Sequence, residues 1–188
     1  GVGSAAPVTG TSRGLWHLDD GAGGTAVDSS GLGHTASLQN MNTAACWVSG
    51  TSGTALQFDG IDDVLSCPAG TGATLTDNVI YSLRLRFDSF IESKDILNNG
   101  LFRIYYRGNW MGNKLIFLCK ITDGAAYPGD SGWAGWAGVH SGVELVQGRW
   151  YDVKVERRGN RLNFYLDGQL TRQLDCLNGY VADTAALG

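Results

Sequence analysis

Two sets of side chains in this sequence have the types and spacing to do chemistry. The first is aromatic and basic. Tyr105, Trp110, Tyr127, Trp133, Trp136 and His140 fall in or near loops, and Arg103 and Arg107 share a polar strand face beside them. Pyranose rings offer apolar C–H faces that pack on aromatic rings, while their hydroxyls need planar polar partners. An aromatic platform beside arginine is what a carbohydrate groove requires. Guanidinium groups also bind oxyanions in a bidentate way, which suits the carboxylates or sulfates of an acidic glycan. Arg84, Arg86 and Asn163 add to the polar faces. The competing structural reading is plain. Trp133 and Trp136 then form the small core of a loop folded over the protein, and the arginines pair across strands with Asp88, Asp152 and Glu156.

The second set is acidic: Asp19, Asp20, Asp28, Asp59, Asp62 and Asp63, all in Gly- and Ser-rich loops. Hard cations take several oxygen ligands from carboxylates and main-chain carbonyls, and such loops expose both. There is no EF-hand spacing. The competing reading is that these residues cap turns through Asx hydrogen bonds.

Catalysis finds no support. The glutamates are Glu92, Glu144 and Glu156, far apart in sequence, so no short run sets two carboxylates across a scissile glycosidic bond. Asp62 and Asp63 are adjacent and on a strand point to opposite faces. No GxSxG, HExxH, Walker loop or GxGxxG after a strand is present. The chain reads as non-enzymatic.

The strand that leads to the rest lies between Arg149 and Arg172. Tyr151, Val153 and Val155 alternate with polar residues, as do Leu162, Phe164 and Leu166, with Arg158-Gly159-Asn160 between the two runs. Period two with β-branched and aromatic residues predicts a hairpin, and Asp167-Gly168 predicts a second turn with a strand leaving at Gln169. Val79 to Asp88 and Leu101 to Arg107 alternate in the same way. Leu115 to Cys119 is apolar at every position, as expected for a strand covered on both faces. Leu15–Leu18, Thr35–Leu38 (as an edge strand), Thr54–Phe58 and Val64–Ser66 are shorter candidates. Residues 123–148 break the rhythm and read as a long loop. Trp16, Trp47 and Trp150 are assigned to the core or its rim. No internal repeat or amphipathic helix is evident.

The length of 188 residues suits one domain, with residues 1–13 a loosely held arm. Abundant Gly and scarce Pro favour many short strands joined by turns. The formal charge of -4 gives no basic field for nucleic acid, and no stretch is long and apolar enough to span a bilayer as a helix. The chain has no initiator Met, basic n-region or h-region and reads as a mature or excised piece. Its four cysteines, Cys46, Cys67, Cys119 and Cys176, lack zinc spacing. An even count in a strand-rich chain points to two disulfides and a secreted protein. Three connectivities exist. Cys46–Cys67 with Cys119–Cys176 is preferred, because the first pair flanks one loop system, and buried free thiols are the alternative.

The runs WHLDDGAGGTAVDSSGLGHTASL (16–38), ALQFDGIDDVLS (55–66) and GRWYDVKVERRGNRLNFYLDGQL (148–170), in that order, resemble the landmarks of laminin-G-like domains of the concanavalin A-like lectin/glucanase superfamily. The resemblance spans about Gly14 to Gly188. It implies an all-β jelly-roll sandwich of two antiparallel sheets with little helix. It also implies that the two acidic loops lie near each other and hold a structural calcium ion, with Asp28 and Asp59 foremost and Asp19 and Asp63 beside them. Such domains close with a further strand beyond the segment matching Thr184 to Gly188. That strand is then absent, supplied by another chain, or part of a longer protein. The expected function is a non-catalytic carbohydrate-binding module that attaches a larger secreted protein, such as a parent enzyme, to a glycan. The rival is a structural or adhesive protein that assembles with other chains through an open sheet edge.

Overall fold

A computed structural model describes residues 13–67, 78–90, 93–108, 112–121, 124–126 and 129–175. Among these the chain is all-β, with thirteen strands and no helix. It divides into two compact units, one containing residues 13–67 and the other residues 78–175.

The first unit is built from short strands. β1 (Thr25–Ala26), β2 (Ala36–Gln39) and β5 (Val64–Ser66) form an antiparallel sheet in the order β1-β2-β5, and β3 (Trp47–Ser49) pairs with β4 (Thr54–Leu56). β2 is therefore a central strand rather than the predicted edge, because both β1 and β5 hydrogen-bond to it. The predicted strand at 15–18 reduces to one bridge, Trp16 to Asp28, and Leu18 has a φ of 58° that no strand continues.

The second unit is a sandwich of two four-stranded antiparallel sheets. β7 (Lys94–Asn98), β8 (Phe102–Arg107), β9 (Lys114–Lys120) and β10 (Trp136–His140) make a meander in the order β10-β9-β8-β7. β6 (Asn78–Arg86), β11 (Trp150–Arg158), β12 (Arg161–Leu166) and β13 (Gln169–Asp175) make the other, in the order β13-β12-β11-β6. Alternation decides which residues meet between them. Phe102, Ile104 and Tyr106 of β8, with Phe117 of β9 and Val139 of β10, share one buried cluster with Tyr151, Val153 and Val155 of β11 and Leu162, Phe164 and Leu166 of β12. Val79, Tyr81, Leu83, Leu85 and Phe87 close the cluster from β6 and its end, as their period predicts.

The turns follow the sequence closely. Arg158 pairs with Arg161 across Gly159-Asn160, where Gly159 alone has positive φ, while Leu166 pairs with Gln169 across Asp167 and Gly168, both with positive φ. These match the type II′ and type I′ patterns, whose twist suits right-handed strands.

Four strands escaped the sequence reading: the two- and three-residue strands β1 and β3, and β7 and β10. β10 lies inside the segment 123–148, where the short run Trp-Ala-Gly-Val-His carries little β signal. β7 is interrupted by a bulge between Asp95 and Leu97, so its period is broken.

The disulfide expectation is corrected. Cys46, Cys67 and Cys119 are free thiols, and Cys176 lies outside the described residues. Cys46 is buried just before β3, whereas Cys67 is exposed at the end of β5 in the other sheet of the same unit. Cys119 points into the apolar core with no exposed surface, and burial pushes its thiol up to about 11. Alkylation of the native, unreduced chain is therefore expected to label Cys67 first. Cys46 and Cys119 should react only after denaturation, as read by peptide mass. Recovery of a Cys46–Cys67 disulfide peptide would refute this assignment.

Candidate functional site

β9 sets the terms for the site. Leu115, Phe117 and Cys119 face the core, yet Ile116 and Leu118 on the opposite face are equally buried, all at 0% exposure. Something must cover that outer face, and the segment from Gly129 to Gly135 does so. Gly129 forms a parallel bridge with Gly138, and Asp130 N–H donates to Gly138 O at 2.8 Å. Ser131 then crosses so closely over Gly138 that a Cβ at 138 would lie 2.8 Å from both Ser131 Cα and Leu118 Cδ2. Glycine is required at 138 because backbone, not a yielding side chain, fills the space.

The cover carries Trp133 onto β8. Its ring meets Tyr105 edge-on with centroids 4.9 Å apart. The Arg103 guanidinium lies 4.9 Å from the Trp133 centroid, 5.2 Å from that of Tyr105 and 5.8 Å from that of Trp136. Asp95 fixes Arg103 through two hydrogen bonds of 2.8 Å, a planar fork on a carboxylate. Arg107 also lies 4.9 Å from the Trp133 centroid and donates to Ser131 O at 3.1 Å. Arg107 is only 4% exposed, and burial pushes its guanidinium down. Its position makes it the anchor of the cover, whereas Tyr105, Trp133, Trp136 and Arg103 stay half-buried.

The fold thus brings Trp133, Trp136, Tyr105, Arg103 and Arg107 together. His140 shares the face with Tyr105, since both pair with Ile116, but its ring sits at the β10 edge. There it meets Arg172 of β13, with Nε2 and Nη2 3.0 Å apart. Burial pushes the His140 imidazole down, and Arg172 and Lys114 add to this against Asp130. Trp110 and Tyr127 lie outside the described residues.

Arg84, Arg86 and Asn163 are on the other sheet. Arg84 lies 3.5 Å from Asp152, and Arg86 makes a two-pronged pair with Asp88 at 2.6 and 3.0 Å. Asn163 and Tyr165 donate to Glu156 Oε1 at 3.0 and 2.6 Å. Arg84 and Asn163 follow the cross-strand pairing reading, whereas Arg86 pairs with Asp88 two residues further on, just past the end of its own strand. Asp95, Ser131, Lys114 and Arg172 were missed by the sequence reading. Their roles come from strand order and from the path of the cover, and no local pattern encodes either.

The acidic residues separate into two groups. Asp28 is a turn cap. Its Oδ1 accepts from Leu15 N and Ser30 N, both at 2.9 Å, and its Oδ2 from Ser30 Oγ at 2.7 Å and His34 N at 2.9 Å. Burial alone would raise this carboxyl, but the donors from Leu15, Ser30 and His34 outweigh it and hold it far below the usual carboxylate range. Asp20 accepts from Val27 N, and Asp19 is exposed. Asp59, Asp62 and Asp63 gather, with one ligand atom from each inside a 4.8 Å group. Part of that group also holds the turn: Asp59 Oδ1 accepts from Ile61 N at 2.7 Å and Asp63 Oδ2 from Asp59 N at 2.8 Å.

No protein-family model and no curated protein matches the chain. A solved structure does. It is an S-layer domain-containing protein (residues 221–444) from Clostridium thermocellum ATCC 27405, at 23% identity and a TM-score of 0.51. The match covers 86% of this chain and 71% of that one. At that identity the likeness concerns the fold, a β architecture shared over most of both chains.

Asp28 gives a direct test. Its folded pKa is depressed, so its stabilisation is fully present above its ordinary value of 3.8 and is lost as pH falls below it. The amides of Leu15, Ser30 and His34 are expected to lose exchange protection on acidification. Asp28→Asn, which presents an NH2 group to these donors, should remove that protection at neutral pH. Unchanged protection in the variant would show that the cap is not needed.

Proposed function

We propose that the chain is a non-catalytic carbohydrate-binding module that works at a cell surface or outside the cell. The observation that carries this reading is the convergence of Trp133, Tyr105 and Trp136 around one guanidinium, that of Arg103, already oriented by Asp95. Half-buried rings fixed from beneath lose little entropy on binding, and such preorganised aromatic anchors dominate recognition surfaces. A pyranose would stack on the exposed part of Trp133 or Trp136 and offer hydroxyls to Arg103. No bond-making step is assigned to any residue of this face. Calcium, if it binds, would be held by Asp59, Asp62 and Asp63, whose chemistry suits a hard ion completed by main-chain carbonyls and water.

A second reading is attachment through protein chains. Two observations favour it: the structural likeness to an S-layer domain-containing protein, and the sheet edges β6, β7 and β13 among the described residues. An edge strand offers unpaired backbone groups to an added strand. The two readings share a surface location and differ in ligand.

On a glycan array the native chain should bind at least one oligosaccharide. Trp133→Ala should weaken that binding by ~30-fold or more, as expected for an anchor ring worth about 2 kcal/mol. No binding, together with a sedimentation coefficient that rises with protein concentration, would favour the assembly reading instead. Chelation of divalent ions should lower the melting temperature of the chain. An unmoved melting temperature removes calcium from the account.

A further inference from the structure

At the edge where β10 and β13 meet, His140 carries more donors than its ring can serve. Gly142 N–H donates to Nδ1 at 2.8 Å, so Nδ1 supplies the lone pair and the neutral ring keeps its hydrogen on Nε2. That Nε2–H then faces the Arg172 Nη2 donor at 3.0 Å. Two N–H groups converge on one point. The carboxylate nearest to it does not serve them: Asp130 Oδ2 is 3.7 Å from Nε2, beyond hydrogen-bond range, and accepts instead from the His140 backbone N–H at 3.3 Å.

The arrangement is built rather than incidental. His140 is 8% exposed. Gly142, at φ +79°, sits so close to β13 that a Cβ there would lie 3.1 Å from Thr171 O and 3.2 Å from Arg172 Cγ. Close packing on β13 and the positive φ together favour glycine at 142, and the turn's N–H is thereby aimed at Nδ1. Lys114 adds a further positive charge that acts on His140. The imidazole is held from behind, while Arg172 in front is exposed.

We propose that His140 Nε2–H and Arg172 form a seat for an oxyanion, the carboxylate or sulfate of an acidic glycan. An anionic oxygen between Nε2 and Nη2 supplies the acceptor that both donors lack and turns two opposed dipoles into charge-assisted hydrogen bonds. Tyr105 and His140 flank Ile116 on the same sheet face, two strand spacings apart, or roughly 10 Å. One sugar on the aromatic rings and the charged group of a neighbouring residue fit that separation. The seat thus names the ligand class for the module and rests on the glycan-binding reading.

The test uses the full chain, labelled with 15N, and Arg172→Gln, a change at an exposed position that leaves the fold in place. Sodium sulfate and sodium acetate are titrated against chloride at constant ionic strength, with the His140 ring nitrogens observed by NMR. A saturable shift at Nε2 that Arg172→Gln abolishes supports the seat. No shift with either anion overturns it. In parallel, hexagalacturonate, a sulfated hexasaccharide and a neutral cellohexaose are compared. The native chain should prefer one charged oligosaccharide over the neutral one, and Arg172→Gln should reduce that preference at least tenfold. If cellohexaose binds through Trp133 but the preference survives Arg172→Gln, the seat is wrong and the module reading stands. If sulfate or acetate shifts His140 yet no oligosaccharide binds, the seat stands and the glycan reading falls.

Discussion

The second unit depends on one strand being apolar on both faces. Leu115 to Cys119 cannot leave either side in water without exposing large apolar area, at about 25 cal/mol per Å2. One side is covered by the facing sheet, as in any sandwich. The other can be covered only by chain brought across from elsewhere. That demand explains the path of residues 129–135, the glycine at 138 and the buried Arg107 that ties the cover down. The aromatic cluster follows from it. Trp133 is where it is because the cover ends against Tyr105.

The same cover explains why two arginines four residues apart on one face of β8 play different parts. Arg103 keeps water contact and pairs with Asp95, so its charge is offset at the rim and its flat face is shared by three rings. Arg107 is drawn beneath the cover and donates to a backbone carbonyl. Cation–π contacts of this kind contribute about 0.5–2 kcal/mol each, more as water is excluded. The outer face of the opposite sheet is organised differently. There charges pair with charges along and across strands, and Asn163 and Tyr165 both donate to one oxygen of the buried Glu156.

In the first unit, turns take the place of a large core. Its strands have at most four residues, and Asp28 and Asp59 each collect backbone donors. Such carboxylates organise loops whether or not an ion is present. Asp28 has both oxygens committed to N–H and O–H donors. The Asp59–Asp63 turn brings three carboxylates together, and the repulsion among them is the physical reason an ion would stabilise it.

How much of this was legible follows from the range of each effect. Period-two alternation is local, so β6, β8, β11, β12 and the turns at Gly159 and Gly168 could be read directly. So could the double burial of β9, from an unbroken apolar run. The resemblance of the landmark runs pointed to an antiparallel sandwich, and an antiparallel sandwich is what the second unit forms. The aromatic and arginine residues could be listed but not sorted, because Arg84 and Arg103 have the same chemistry and the same alternation. Strand order alone puts one opposite Asp152 and the other under Trp133.

The sequence by itself determined which residues alternate, where the chain turns, and that one strand had to be sheltered twice. Only the tertiary structure decided what shelters it, which cysteines stay apart, and that His140 and Arg172 meet. The contacts that settle the shelter and the His140 edge join residues far apart in the chain, 24 positions for Arg107 and Ser131 and 32 for His140 and Arg172, and no short-range pattern carries that information.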